Sequence, residues 1–323
     1  NYINQVVNYY NLHNSYYGDF TDKSSEIVDS GTSNNMSWNL NGNGVLTISG
    51  TGNMPDYSST SQPWYKYRES IIQVKIGDGI TGIGNYAFSG CTSLKEVSLP
   101  DGLTKIGDNA FNKCKSLTSI TVPKSVTSIG YYAFADCTSL KSAVIEANSK
   151  KLFETTIGDC AFSGCTSLTD VTIPGNVTSI GDYAFSNCKS LEKLTIPEGV
   201  KKLGSEIISN TYIEKIKIPS TVTDCNYKTY SGEYFGALAG DAVLTEVEFA
   251  EGMTKIPQYI CSSANTVEKI IIPSTVTSIG YTAFYGCTSL KGVSLPDGLT
   301  ELEYSAFNKC KSLTSITVPK SVT

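Results

Sequence analysis

A step of 23 residues, carrying several residue types together, constrains this chain more than any other feature. Phe88, Phe111 and Phe134 lie 23 apart, as do Phe162 and Phe185, and again Phe284 and Phe307. Pro100 and Pro123, Pro174 and Pro197, then Pro273, Pro296 and Pro319 share that step. With Gly77, Glu146 and Ala250 standing in for proline, successive intervals are 23, 23, 23, 28, 23, 22, 31, 23, 23 and 23. A unit this small cannot bury its own apolar face, so the chain must stack its units into a solenoid.

Each unit reads roughly P-x-x-V-T-S-I-G-x-Y-A-F-S-G-C-T-S-L-x-x-V-T-I. Leu94, Val97 and Leu99 have the spacing of a strand whose alternate side chains face inward. The proline that follows cannot donate to a ladder, so the strand stops there. Val126 and Ile129 form a second short apolar segment before Gly130. Tyr132-Ala133-Phe134 then reads as one helical turn that throws the phenylalanine inward. Asp108, Asp159 and Asp182 stand at the entrance to that turn, where a carboxylate can accept orphan amide hydrogens. At about 4.8 Å per parallel strand, about eleven such coils make a rod of roughly 50 Å.

The composition narrows the function. Twenty-five basic against 30 acidic residues leave a net charge of -5, and Arg68 is the only arginine. Phosphate binding needs clustered Lys and Arg, so nucleic acid is excluded as a partner. The longest apolar runs, such as Ile270–Ile272, are far short of the 20 or so residues a membrane span requires. The chain opens at Asn1 without methionine, and its targeting and attachment segments are expected to lie outside it.

The pattern I-P-x-x-V-T-S-I-G-x-x-A-F-x-x-C-x-S-L, best seen at Val122–Leu140 and Ile272–Leu290, closely resembles the BspA-like leucine-rich repeats of bacterial surface proteins. The region before the repeats, with Met36–Leu40, Gly44–Gly52, Met54–Tyr57 and Pro63–Tyr65, resembles the segment that often precedes them. The likeness therefore covers about residues 30–323. It implies a right-handed leucine-rich-repeat stack, mainly short parallel β-strands with one-turn helical segments. It further implies a secreted or cell-surface protein of human-associated anaerobes, whose usual role is adhesion to host proteins or other cells. The copies at 204–214, 222–245 and 256–267 depart from the pattern.

Three segments are expected: a leader at 1–28, an N-terminal β-hairpin cap at 29–70 and the solenoid at 71–323. Alternation around Asn41-Gly42-Asn43-Gly44 marks the hairpin. Trp38, with Trp64 nearby, would close the open end of the first coil. In the leader, Ile3, Val6, Val7 and Tyr10 suggest a short helix.

Seven of the ten cysteines (91, 114, 137, 165, 188, 287 and 310) share one slot. In the family that slot holds a small buried polar group bonded to the turn backbone. Free buried thiols are therefore expected there, although stacked neighbours fall within disulfide reach. Asp241 and Ala264 substitute in the same column. Cys160 falls in the Tyr slot, Cys261 in the Phe slot, and Cys225 is assigned to an insertion. His13 is the only histidine. Triads and zinc centres built on histidine have no partner near a nucleophile, and C-x-x-C pairs are absent. No catalytic, cofactor-binding or metal site is expected.

Gly90–Thr127 and Gly286–Thr323 align over 38 residues with six differences, at Glu96, Lys105, Ile106, Gly107, Asp108 and Asn109. Such duplication fits display of a surface better than chemistry at a unique site. Two places are candidates for a ligand. One is the solvent face of the strands, a row of small hydroxyls interrupted by Lys217, Glu248 and Ile271. That row equally reflects the β-propensity of threonine. The other is the excess between Pro219 and Ala250, where 224–236 holds Tyr227, Tyr230, Tyr234 and Phe235. Insertions in a solenoid become loops on one face, often the binding face. The same rings could instead merely patch an irregular coil. The expected role is an extracellular adhesion or protein-binding module for host matrix or cell-surface proteins, or for other bacterial surfaces. An architectural spacer is the alternative, and a glycan-active enzyme using paired carboxylates a remote one.

Overall fold

Every coil contributes three segments, and each segment stacks on its counterpart in the next coil. The structure, a computed structural model, describes residues 23–148, 154–241 and 243–323. The Leu-x-x-Val-x-Leu segments form a first row of parallel strands, as at Ser119–Val122, Ser142–Ile145 and Asp170–Thr172. Lys215–Ile218, Glu246–Phe249 and Lys269–Ile271 make a further piece of this row. The Val-Thr-Ser-Ile segments form a second row that runs unbroken through eight strands, from Gly52–Asn53 to Asp224–Cys225. It resumes at Lys255–Ile256, Ser278–Ile279 and Glu301–Leu302. Registers within both rows put equivalent slots opposite one another, for example Thr121 against Val144 and Val144 against Thr172.

The third row departs from expectation. Tyr132-Ala133-Phe134 is a turn and not a helical one, because Tyr132 has φ +54°. The same left-handed value recurs at Tyr86, Asn109, Cys160, Tyr183, Glu206, Tyr259, Thr282 and Ser305. The amides then point along the stack. Tyr132 donates to the carbonyl of Asp159 at 3.0 Å and Phe134 to that of Ala161 at 2.8 Å. One isolated helical turn forms a single internal bond at a large entropic cost. A bond to the next coil is available at every slot, so the left-handed turn is selected. The described residues contain one short helical segment, the 3-10 turn Tyr65–Tyr67.

The phenylalanine column fills the interior. Trp64 stacks on Phe88 at 5.7 Å, and Phe88, Phe111, Phe134, Phe162 and Phe185 follow at 5.2–5.5 Å. Burying each ring fully contributes on the order of 1.5–3 kcal/mol. Beyond Phe185 the column passes through the smaller Ile208, Leu238 and Cys261 before resuming at Phe284 and Phe307, 5.0 Å apart. Phe249, inward on the first row, offsets the lost volume and meets Phe284 edge-on at 6.1 Å.

At the other end, β1 (Ile27–Ser33), β2 (Met36–Asn41) and β3 (Val45–Gly50) form an antiparallel meander. β3 then pairs in parallel with Gln73–Ile76, which passes the chain from cap to first coil. The expected hairpin is β2 and β3, and β1 adds a strand that begins inside the segment assigned to the leader. Trp38 meets Trp64 edge-on at 6.0 Å, and the Trp64 indole donates to the Ala87 carbonyl at 2.9 Å. The leader helix around Ile3–Tyr10 and the residue His13 lie outside the described residues, as does most of the loop expected at 147–151.

Candidate functional site

Two columns of polar side chains prepare the turn row. In the cysteine column the thiols from Cys114 onward donate to the carbonyl of the inward residue one coil earlier: Cys114 to Phe88 at 3.3 Å, Cys137 to Phe111 and Cys165 to Phe134 at 3.2 Å. Thr211 and Asp241 continue this column, the threonine hydroxyl donating to the Asp241 carboxylate at 2.6 Å. All ten cysteines are free thiols in the structure, nine of them buried. Burial pushes the Cys91 and Cys188 thiols up to about 12. Cys225 does not belong to the insertion. It is the last residue of the eight-stranded row, paired with Leu203 and buried in the isoleucine slot.

The second column begins at the turn entrance. The carboxylates expected to cap their own turns instead accept the amide of the same slot in the next coil. Asp108 accepts Tyr131 at 2.9 Å, Asp159 accepts Asp182 at 2.8 Å, and Asp182 accepts Ser205 at 2.9 Å. Asp182 also takes the Lys228 ammonium at 2.7 Å and the Asn226 amide at 2.9 Å. Burial raises its carboxyl, but these partners together hold it below the usual carboxylate range.

That node is the root of the insertion. Lys228–Tyr230 and Glu233–Phe235 form an antiparallel hairpin, closed by Ser231 and Gly232 with φ of 51° and 81°. Two positive φ values in a two-residue turn match the right-handed twist of a tight hairpin. The hairpin lies along the turn row. On one side Tyr230 shares its hydroxyl with Tyr183 at 3.1 Å, Tyr183 donates to Glu206 at 2.8 Å, and Phe235 meets the Tyr230 ring at 5.4 Å. Toward the later coils Tyr227 stacks on Tyr259 at 3.9 Å. Tyr234 sits 5.5 Å from Tyr259, 6.4 Å from Tyr281 and 5.5 Å from Tyr285. Tyr304 extends the cluster, stacked 6.3 Å from Tyr281 and 79% exposed. Lys309 joins Glu233 at 2.6 Å and lies over the Tyr285 ring.

The other candidate residues lie elsewhere. Lys217, Glu248 and Ile271 stand opposite one another on the first row, in register. Lys217 pairs with Glu248, and both line a groove of about 360 Å³ with Leu194, Ile196, Pro219 and Ala250. Ile271 lines a separate depression with Lys269, Val293 and Ser294. The two candidate places thus lie on different rows of the coil, Lys217, Glu248 and Ile271 on the first strand row and Tyr227, Tyr230, Tyr234 and Phe235 along the turn row. The structure brings in five tyrosines that sequence reasoning passed over: Tyr183, Tyr259, Tyr281, Tyr285 and Tyr304. One signal was present. Of the six differences between the duplicated copies, the run Gly107-Asp108-Asn109 becomes Glu303-Tyr304-Ser305. The change places Tyr304 beside Tyr281. It also brings Glu303 to accept the Tyr281 amide at 2.9 Å and the Lys255 ammonium at 2.7 Å.

Among the described residues no group of three or more His, Cys, Asp or Glu is arranged to hold a metal ion, and no helix is long and apolar enough to cross a membrane. The fold is a stacked repeat whose distinctive surface is built by departures from the repeat, the class of leucine-rich-repeat solenoids. The model of the BspA-type leucine-rich-repeat region matches residues 59–156, 155–239 and 254–323, in six copies, and the chain belongs to that family. Among solved structures it is similar to a leucine-rich repeat protein from Bacteroides ovatus, at 23% identity and a TM-score of 0.52, covering 95% of this chain and 90% of that one. A leucine-rich repeat protein from Eubacterium ventriosum shares 26% identity over 91% and 92% of the two chains, with a TM-score of 0.44. A leucine-rich cell surface protein from Faecalibacterium prausnitzii shares 23% identity over 90% and 94%, with a TM-score of 0.39. No curated protein matches the chain.

Proposed function

We propose that the chain is an extracellular, cell-surface module of adhesive type that binds a protein or a neighbouring cell through the tyrosine cluster at its insertion hairpin. One observation carries this reading. Tyr234 of the insertion and Tyr304 of the divergent part of the duplicated copy, 70 positions apart in sequence, converge on one patch that the repeat itself does not require. Tyrosine supplies large contact area at low conformational cost together with a polar tip, as recognition surfaces need. Membership of the BspA-type repeat family supports the surface location. The test is an array of matrix proteins, mucins and bacterial surfaces probed with the intact chain and with a variant in which 227–235 is replaced by a short Gly-Ser turn. A ligand retained by the intact chain should lose most of its binding to the variant while the fold persists by circular dichroism. Undiminished binding would remove the hairpin from the reading.

A further inference from the structure

One coil of the first strand row is open on both sides. In a regular coil the residue after the leucine slot donates back to its counterpart, Lys141 to Thr118 at 2.9 Å and Thr245 to Glu214 at 2.9 Å. Leu191 and Ile213 are 22 residues apart, one short of the step, because a residue is missing between Thr211 and Ile213. In the shortened turn Tyr212 donates to the Leu191 carbonyl at 3.1 Å, and the bonds that would follow do not form. No backbone hydrogen bond joins residues 192–196 to Asp170–Thr172 before them or to Lys215–Ile218 after them. Other internal breaks leave a partner on one side: Glu96–Ser98 keeps Gln73–Ile76, and Gly292 keeps a bridge to Lys269.

Lys215–Ile218 is therefore a sheet edge inside the stack. In a parallel ladder each residue directs its N–H and C=O to one neighbour, and the next residue directs them to the other. The carbonyls of Glu214 and Ile218 accept from the following coil, from Glu246 at 3.2 Å and from Ala250 at 2.9 Å. Lys215 and Lys217 thus turn their main-chain groups toward the break. There the groove of about 360 Å³ runs between Leu194 and Ile196 on one flank and Ile216 on the other. It shares Lys193 and Lys215 with a depression of about 530 Å³ beside Tyr212, which is 56% exposed. Unpaired main-chain groups beside an apolar floor are the template that accepts an added strand. The charges select its composition. Lys215 pairs with Glu246 and Lys217 with Glu248, whereas Glu192 and Glu214, at the Tyr212 end, make no ion pair among the described residues. Lys193 is the one unpaired ammonium between them, so carboxylates outnumber ammoniums five to three along the two depressions. A cation would meet Glu192 and Glu214 over the Tyr212 ring.

We infer that this break takes one extended peptide strand of a protein partner, hydrogen-bonded to the Lys215–Ile218 edge, with apolar residues along the groove and a basic residue at the Tyr212 end. The site is separate from the tyrosine cluster on the turn row, so either can fail without the other. Fluorescence anisotropy of labelled Lys-Thr-Val-Thr-Val-Thr-Lys tests it on the intact chain. The controls are the same peptide N-methylated throughout, which cannot donate, and one with glutamates replacing both lysines. The parent peptide should bind about tenfold or more tighter than either control. Lys217→Pro removes an edge donor that the row itself does not use, and should weaken the parent peptide about tenfold while circular dichroism is unchanged. Replacing 227–235 by a Gly-Ser turn should leave binding as it is. Equal binding of the parent and N-methylated peptides would overturn the inference, and so would loss of binding with the hairpin. A dimer of the intact chain that Lys217→Pro dissolves would place a second copy in the break, and would equally overturn it.

Discussion

Asp182 shows how much one residue can do in this fold. It continues the carboxylate column by accepting the Ser205 amide, and it anchors the hairpin through Lys228 and Asn226. Its folded carboxyl sits below the ordinary value of about 3.9. A depressed carboxyl contributes stability that is complete above the unfolded value and is lost as pH falls through the folded one. Glu206, raised chiefly by burial, works in the opposite sense, since its charged form is disfavoured and acid relieves it. The hairpin should therefore loosen only below about pH 4, when Asp182 releases Lys228. Asp182→Asn should show that looser state already at neutral pH. Hydrogen exchange of the amides at 228–235 measures this, and equal protection in both chains at pH 7 would refute the anchoring role.

At the scale of elements, the turn row was the part of the coil least legible in the sequence. Tyr, Asn, Cys, Glu, Thr and Ser all occupy its left-handed slot, so no residue type announces the conformation. Local spacing in Tyr-Ala-Phe favours a helical reading, and only the stacking of a second coil makes the alternative bonds available. The glycine just before the turn marks how close those coils lie. A Cβ on Gly204 would stand 2.2 Å from the Asp182 nitrogen and the Gly181 carbonyl carbon, whereas one on Gly292 meets nothing within 4 Å. Gly204→Ala should cost about 1–3 kcal/mol or more, the range for forced overpacking. Gly292→Ala should change stability by less than about 0.5 kcal/mol. Denaturant midpoints of the two variants decide the point, and similar values would refute the close-contact account.

At the scale of the whole molecule, stability is a sum over coils and the contacts between neighbours. Phenylalanine stacks without interruption from Phe88 to Phe185, and the column thins at Ile208, Leu238 and Cys261. With Phe249 filling from the first row rather than continuing the stacked column, that stretch is expected to be the weaker joint between a long regular block and a shorter one. The thiols report on both. Burial holds Cys91 and Cys188 at about 12 and the less buried Cys310 at about 11, so the native chain should alkylate slowly at pH 8. With rising denaturant, Cys287 and Cys310 should become reactive before Cys114 and Cys137. Pulsed alkylation read by peptide mass would show it, and one common midpoint for all thiols would exclude a weak joint.

The sequence by itself determined the solenoid, the inward phenylalanines, the shared cysteine slot and the prolines that end the first-row strands. Each of these recurs at a constant step, and a residue that repeats must meet its own copy. It also picked out Tyr227, Tyr230, Tyr234 and Phe235, because an excess of residues between Pro219 and Ala250 breaks the step. Only the tertiary structure decided which side of the coil the excess would cover. The anchor at Asp182 lies some 45 residues upstream of the hairpin it holds. The rings that meet the hairpin stand in repeat slots where tyrosine is unremarkable until a second aromatic lies against it. Lys217, Glu248 and Ile271 seemed to be its neighbours because they are near in sequence. In a coil of three segments, nearness in sequence leaves the direction of a side chain open, and these three lie on the first strand row, away from the turn row that the tyrosines share.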